Sequence, residues 1–388
     1  MTPAIAKQEF LNRISMFQQN IRTAGLDACL VHGNEADFAN IRYLTDYWPT
    51  FEAAGVFVPA TGTPVLLIGP ESEKYAMGRS MIPDIRKMIE YRESAEPQYP
   101  GIPVAHYRDI VQLAMGGRPL KRLGLVGFSV MTLPVYFSLQ RELPEVELVK
   151  ADETLLALRF IKSESELACM RRAFEISEIA LEAVLKEMKP GMTELQVIGI
   201  AQREIYRNGG EYEGHALYCF SGARTNNAIC RPTDKVIEPG ELIQLNIGAR
   251  VGGYSSSIGM PVIFGKWSGL QKELVTFGLE AHRKTYDFMK AGQMAGEVVI
   301  QWEKFVREAG YGDYMLYGPC HAIGIMEVEQ PWMESVSSYE LKENMTFQVD
   351  TFFSGPDFGL RWETGTCIHD SGIEIFSTKF EDLSWTEL

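Results

Sequence analysis

The stretch Leu242–Phe264, LIQLNIGARVGGYSSSIGMPVIF, decides the fold. Leu242, Ile243, Leu245 and Ile247 form an apolar run and Gly252-Gly253 supplies a turn. Tyr254 to Phe264 returns with small residues on one face, so the pattern predicts a β-hairpin. Side chains alternate along a strand, which puts Asn246 and Gly248 on one face. A polar Asn inside a buried run needs a hydrogen-bond partner or a chemical task; a satisfied core amide is the plain alternative.

The hairpin resembles the dimetal hairpin of the pita-bread hydrolases, the family of aminopeptidase P, prolidase, methionine aminopeptidase and creatinase. Their pattern there is L-D-x-G-A and then G-Y-x-S-D. Here the matching runs are Leu245-Asn246-Ile247-Gly248-Ala249 and Gly253-Tyr254-Ser255-Ser256-Ser257, with the family's 11-residue step from Asn246 to Ser257. The resemblance implies that Asn246 and Ser257 stand at places where relatives carry metal-binding aspartates. An amide or a hydroxyl is a poorer ligand for a hard divalent ion than a carboxylate. The expectation is therefore a metal-binding hairpin that has lost its metal.

The chain's 388 residues suffice for two domains, and 46% hydrophobic with 23% charged residues is the balance of a globular protein. A net charge of −14 with no Lys/Arg block argues against a nucleic-acid partner. The start, MTPAIAKQEF, has no apolar signal-peptide region, and no run of about 18 apolar residues predicts a membrane span. Cys29, Cys169, Cys219, Cys230, Cys320 and Cys367 form no C-x-x-C pair. They read as scattered thiols of a reducing cytoplasm, not as a disulfide frame or zinc site.

Phe10, Ile14, Phe17 and Ile21 give Ile5–Ala24 a helical apolar face, and Ala28–His32 reads as a strand. Further strands are predicted at Gly55–Val58, Pro64–Ile68, Arg122–Gly127 and Val146–Val149, with helices at about Glu71–Met77 and at Leu133–Arg141. Asn40-Ile41-Arg42-Tyr43-Leu44-Thr45 resembles the N-x-R-Y-L-T element of the aminopeptidase-P and creatinase amino-terminal domain. Asp46 to Phe51 follows as an aromatic loop, for which packing on its own domain is the plain reading. The resemblance instead implies that Trp48 and Phe51 line the partner's substrate pocket in a dimer.

Ser163 and Glu166 form a capping box at the start of a long helix, inside a run resembling the family's R-x-I-K-S-x-x-E. Met188-Lys189-Pro190-Gly191 and Met289-Lys290-Ala291-Gly292 each follow one long helix and precede another, about Glu194–Arg207 and Gly296–Glu308. Two helix–helix–strand–strand halves predict a pseudo-symmetric α+β domain with its site between the halves.

Three groups match what remains of the family's five-ligand set. His321 lies in Gly318-Pro319-Cys320-His321-Ala322-Ile323-Gly324, Asp350 ends Met345-Thr346-Phe347-Gln348-Val349-Asp350, and Glu363 lies in Gly359-Leu360-Arg361-Trp362-Glu363. Arg361 and Glu363 are two apart and share a strand face, where the guanidinium would hold Glu363 ionised. In Glu327-Val328-Glu329-Gln330-Pro331, Val328 takes the place of a second His of the family. Ile229 or Cys230 takes the place of the His thought to serve creatinase as acid and base, which argues against cleavage of creatine itself. His215, on a predicted strand His215–Cys219, is the candidate stand-in.

The resemblance spans about Asn40 to Glu374 and implies an α+β chain. A creatinase/prolidase-like α/β domain over residues 1–155 would precede a pita-bread catalytic domain over 156–388. The expected activity is metal-independent, creatinase-like hydrolysis of a C–N bond in a small polar substrate, a guanidino, amidine or amide compound. His321, Asp350 and Glu363 would share the acid–base work, and Asn246, Ser257, His215, Arg361, Trp48 and Phe51 would bind substrate. No metal and no other cofactor is expected, and the protein would be a cytoplasmic homodimer with no membrane partner. Two alternatives stand beside this. One is an Xaa-Pro peptidase with a single divalent metal on His321, Asp350 and Glu363. The other is a non-catalytic pita-bread binding protein.

Overall fold

The computed structural model describes residues 3–388, which divide into two units, Ile5–Arg159 and Phe160–Leu388 with residues 3–4. In the first unit the apolar runs form strands β1 (Ala28–Gly33), β2 (Ala54–Pro59), β3 (Val65–Ile68), β4 (Ile85–Lys87), β5 (Arg122–Val126) and β6 (Glu147–Lys150). They pair in the order β4-β3-β2-β1-β5-β6, with β1 antiparallel to β2 and parallel to β5. Helices α1 (Lys7–Thr23), α2 (Ala39–Thr45), α3 (Glu73–Arg79), α4 (Tyr107–Met115), α5 (Leu133–Glu142) and α6 (Glu153–Arg159) complete it. The predicted stripe of α1, Phe10, Ile14, Phe17 and Ile21, is buried. Leu30, Phe57, Leu67, Tyr91, Leu125 and Leu139 meet in the core on one side of the sheet.

The Asn40–Thr45 motif is α2 and is buried throughout. Its Asn40 Oδ1 accepts from Arg159 Nη1 at 2.7 Å, and the helix stops where Asp46 turns left-handed at φ +58°. In the loop that follows, Trp48 lies 5.2 Å from the Phe38 ring, with the Arg42 guanidinium 5.1 Å over it. Phe51 is 80% exposed.

The second unit opens with the capping box: Ser163 N–H donates to Glu166 Oε2 at 2.7 Å, and Glu166 N–H to Ser163 Oγ at 3.3 Å. A side-chain cap of this kind contributes about 1 kcal/mol. It starts α7 (Glu164–Glu187), followed by α8 (Glu194–Arg207); α9 (Gly269–Phe288) and α10 (Ala295–Glu308) form the second pair. Gly191 and Gly292 close the two interhelix turns at φ +89° and +86°, a conformation open to glycine, so the repeat is physical.

The strands of this unit are β7 (Tyr212–Glu213), β8 (Tyr218–Ser221), β9 (Leu242–Ile247), β10 (Ala249–Val251), β11 (Tyr254–Ser255) and β12 (Ile258–Ile263). After the second helix pair come β13 (Cys320–Ala322), β14 (Glu329–Met333), β15 (Thr346–Ser354), β16 (Gly359–His369) and β17 (Gly372–Ile375). The large sheet runs β14-β13-β15-β16-β12-β9-β8, with β17 paired to β16. Helix α9 packs on β15 and β16, where Trp362 Nε1 donates to Val275 O at 3.1 Å.

The Leu242–Phe264 hairpin forms, but not as one ladder. Its base, β9 with β12, belongs to the large sheet, whereas its tip, β10 with β11, joins β7 in a three-stranded sheet. The break falls at Gly248, where a Cβ would collide with the Ser256 carbonyl oxygen and press the His215 ring. Gly252 and Gly253 turn the tip at φ +58° and +96°.

Candidate active site

Residues directly opposite in a β-ladder point the same way. Tyr218 lies opposite Asn246, Asn246 opposite Gly259, Gly259 opposite Glu363, and Glu363 opposite Asp350. His321 lies opposite Gln348, two residues before Asp350. One face thus carries Asn246, Glu363, Asp350, His321 and, two residues before Glu363, Arg361. Gly259 is the hole in this row. A Cβ there would come within 2.8 Å of Glu363 Cβ and 2.9 Å of Asn246 Nδ2, so its absence lets the amide meet the carboxylate. Asn246 Nδ2 donates to Glu363 Oε2 and lies 3.4 Å from Ser257 Oγ.

His215 reaches the site by another route than expected. It sits in a bend before β8, not on a strand, because the ladder with β9 begins only at Tyr218. Its Nδ1 is 2.7 Å from Ala216 O and its Nε2 is 3.0 Å from Ser257 Oγ. With the proton on Nδ1, Ser257 donates to Nε2 and both nitrogens are used. Burial pushes the imidazole down to about 4, so the ring is neutral near pH 7. Trp48 and Phe51 belong to the first unit, with the contacts given above.

Arg361 is fixed from three sides. Its Nε is 2.9 Å from Asp350 Oδ1, and its Nη2 donates to Tyr317 OH at 2.7 Å and to Ala228 O at 2.9 Å. Tyr317 OH donates in turn to Asp350 Oδ2 at 2.8 Å. Arg361 Nε lies 3.8 Å from Glu363 Oε2, so its closer partner is Asp350.

Strand alternation gave no role to Glu327, which lies on the loop between β13 and β14. Its Oε1 lies 3.8 Å from His321 Nε2, and the ligand atoms of His321, Glu327 and Glu363 all fall within 4.8 Å of one another. The signal was present in the run Glu327-Val328-Glu329, where two carboxylates flank the place matched to a family His. Glu329 goes to Lys162, 3.7 Å away.

Glu327, Asp350 and Glu363 face one guanidinium, so the cluster has an excess of negative charge. Burial, opposed in part by its contact with Glu363 and then reinforced by Asp350, pushes Glu327 up to about 7. Burial, then Asp350 and Glu327, hold Glu363 well above the usual carboxylate range, against the expectation that Arg361 keeps it ionised. A divalent cation reverses this logic by favouring both ionised forms.

The donor set fits such an ion. Glu327 Oε1 has no hydrogen-bond partner among the described residues. His321 Nδ1 is 3.1 Å from Ala322 O, and its ring stacks on Trp332 at 5.4 Å, which leaves Nε2 for a ligand bond. Of the expected one-metal set, Asp350 is held by Arg361 and Tyr317, while the group whose ligand atoms converge is His321, Glu327 and Glu363.

The model of metallopeptidase family M24 matches residues 168–378, and that of the creatinase/prolidase N-terminal domain matches residues 13–161. An Xaa-Pro dipeptidase of Pyrococcus horikoshii is 26% identical over 336 residues, covering 86% of this chain and 87% of the relative. An Xaa-Pro dipeptidase of Pyrococcus furiosus is 25% identical, covering 81% and 87%. In fold, the chain is similar to the crystal structure of the prolidase from Pyrococcus horikoshii, with TM-score 0.80, 22% identity and coverage of 94% and 97%. It is similar to an X-Pro aminopeptidase from Thermotoga maritima at TM-score 0.81, 23% identity and the same coverage.

These findings overturn two expectations. A metal-independent, creatinase-like hydrolase is not what the chain resembles, since these relatives carry peptidase names and the matching family is one of metallopeptidases. The expectation of no metal fails with it. It rested on two lost aspartates, and it overlooked that His321, Glu327 and Glu363 converge without them. With a pita-bread unit matched over residues 168–378 and its amino-terminal partner domain before it, the chain belongs to metallopeptidase family M24.

Proposed function

We propose that this chain hydrolyses the peptide bond of Xaa-Pro dipeptides or short peptides, with one divalent ion held by His321, Glu327 and Glu363. The observation that carries this reading is the convergence of those three ligand atoms within 4.8 Å in a metallopeptidase fold. The names of the relatives supply the substrate class. When bound, the ion supplies Lewis acidity to the scissile carbonyl. The chain's own groups do the rest. Asn246 orients Glu363 through its amide donor, and the Trp332 stack orients His321. One oxygen of Glu327 suffices for the ion, and its other can take a proton from the attacking water and return it to the leaving amine. Arg361, held by Asp350 and Tyr317, keeps a fixed positive charge beside the reacting carbonyl.

Elemental analysis of the purified protein should find at least one divalent ion per chain, and about one fewer in Glu363→Gln. Chelation should abolish hydrolysis of an Xaa-Pro dipeptide panel, and added metal should restore it. Full activity after chelation, or no hydrolysis of any Xaa-Pro substrate by metal-loaded protein, would overturn the reading.

We also propose a cytoplasmic homodimer. Six free cysteines, five of them buried, suit a reducing compartment. Phe51, 80% exposed, is an aromatic side chain available to a second copy. Light scattering should give about twice the 43.6 kDa of one chain; a monomer would remove the dimer.

A further inference from the structure

The end of β16 and its return strand β17 bring a second set of metal-ligand side chains together, outside the site above. Cys367 lies opposite Glu374, and His369, two residues on from Cys367, lies opposite Gly372. The three side chains therefore share one face of the hairpin. Cys367 Sγ, a ring nitrogen of His369 and a carboxylate oxygen of Glu374 lie within 4.8 Å of one another. His369 Nε2 is 3.3 Å from Glu374 Oε2. Two ligand atoms each about 2.0 Å from a tetrahedral zinc ion are about 3.3 Å apart. Cys367 is buried while His369 and Glu374 are half-buried, so the group is closed on the protein side and open to solvent on the other.

The plain reading is an ion-pair clamp with an inert thiol beside it. Arg171 of α7 donates from Nε to Glu374 Oε1 and from Nη2 to Oε2, both at 2.7 Å. That clamp accounts for Glu374, but it needs neither the thiol nor the imidazole that shares the face. A ligating carboxylate is normally oriented by an outer hydrogen bond. Arg171 Nε on Oε1 is such a bond; Nη2 occupies one lone pair of Oε2, the oxygen nearest His369, and the second lone pair of that oxygen is the one an ion would use. The sulfur and imidazole donors suit zinc and other borderline ions better than magnesium or calcium.

We propose that Cys367, His369 and Glu374 bind a zinc-class divalent ion, with water as fourth ligand. On binding, the Cys367 thiol releases its proton to solvent, and the sulfur, His369 Nε2 and Glu374 Oε2 each donate an electron pair. One ion enters, one proton leaves, and nothing is oxidised. The ion joins β16 to β17, while Arg171 ties the pair to α7. Because β16 also carries Arg361 and Glu363, such an ion anchors the far end of the strand that bears the acidic site. Spacing alone hides the group, since C-x-H followed by a single Glu is no paired-cysteine pattern; the strand register assembles it.

Cobalt(II) titration of the full chain tests this. A thiolate ligand gives cobalt an intense near-ultraviolet charge-transfer band. The His321–Glu327–Glu363 set contains no sulfur, so the band reports only on the new site. It should saturate with one equivalent, be displaced by zinc, and persist in Glu363→Gln. Cys367→Ser should abolish it and His369→Ala should weaken cobalt binding at least about 10-fold. Cys230→Ser, which alters the partly exposed cysteine, should leave it unchanged. If Cys367→Ser does not fold, the half-buried His369→Ala decides. No band at several equivalents of cobalt, or a band indifferent to both His369→Ala and Cys367→Ser, would overturn the proposal. Neither result bears on the peptidase site.

Discussion

On β13, β15 and β16 one face of the large sheet carries His321, Asp350, Arg361 and Glu363, with Glu327 from a loop. On β9 and beyond, the same face carries Asn246, with Ser257 before β12 and His215 from a bend. Burial does not separate the halves: Asn246 and Ser257 are 1% and 0% exposed, Asp350 and Glu363 6% and 4%. Charge does. The neutral half is linked by a short chain from Asn246 to Ser257 to His215, with only the neutral Asn246 Oδ1 of these three side chains left without a partner among the described residues. In the charged half three carboxylates share one guanidinium, and what is left over is a carboxylate oxygen, Glu327 Oε1. The halves meet where the Asn246 amide donates to Glu363 and where Gln348 Nε2 of β15 donates to Ser257 O at 2.6 Å. One buried face can thus hold a cation on one side and exclude it on the other without a change of fold.

Glu363→Gln is the largest test of that division. It keeps the shape and removes a ligand charge. Metal affinity should fall at least about 100-fold by calorimetry, and turnover by about 10²–10⁴. Unchanged affinity would mean that the ion does not sit on the charged half.

Asn246→Asp with Ser257→Asp should erase the difference. The neutral half would gain two carboxylates, and metal stoichiometry should rise by about one ion per chain. Without metal the variant should lose about 3 kcal/mol in denaturant unfolding, since the new charges are buried and unpaired. An unchanged stoichiometry would show that the hairpin half cannot be turned into a metal site by charge alone.

Asn246→Ala probes the side-chain bond from the neutral half to a ligand of the charged half. The ligands stay, but Glu363 loses the donor that orients it. Metal affinity should fall by about 10–100-fold, the range for outer-shell partners. If affinity does not change, Glu363 is oriented by its strand alone.

Much of this was legible from residue spacing, for a physical reason. The helix stripes, the capping box and the paired glycine turns are local, and period-two alternation puts Arg361 and Glu363 on one face; grouping His321, Asp350 and Glu363 rests on the family resemblance, because the register between their three strands is not local. What stayed hidden depends on contacts that alternation does not encode. Glu327 acts from a loop, whose direction no periodicity sets. His215 was read as a strand residue because His215–Cys219 is largely apolar, yet pairing with β9 starts at Tyr218. The hairpin was predicted from an apolar run, a Gly-Gly turn and a return with small residues, signals that do not show that Gly248 divides it between two sheets. The replaced aspartates were legible too, but the charge left on the other side was undercounted.

His215→Ala should have the smallest effect, and it tests whether the neutral half is only scaffold. The imidazole accepts from Ser257, so its loss should cost about 1 kcal/mol near pH 7, the net value of one hydrogen bond. Metal affinity should stay within about 3-fold, because the ring touches no ligand of the charged half. The pH dependence carries a sign. Burial holds the folded imidazole at about 4, with smaller contributions of the same sign from Arg361, Arg250 and His321, whereas an unfolded histidine titrates near 6.5. Between those values the unfolded chain binds more protons, so this residue makes stability fall as the solution is acidified. The variant lacks that contribution. The stability gap between wild type and His215→Ala, read from urea midpoints at pH 7 and pH 5, should therefore narrow or invert on acidification. A gap that widens would mean that the folded ring is protonated and paired. In that case the hairpin half would carry charge after all, and the contrast between the two halves would fail.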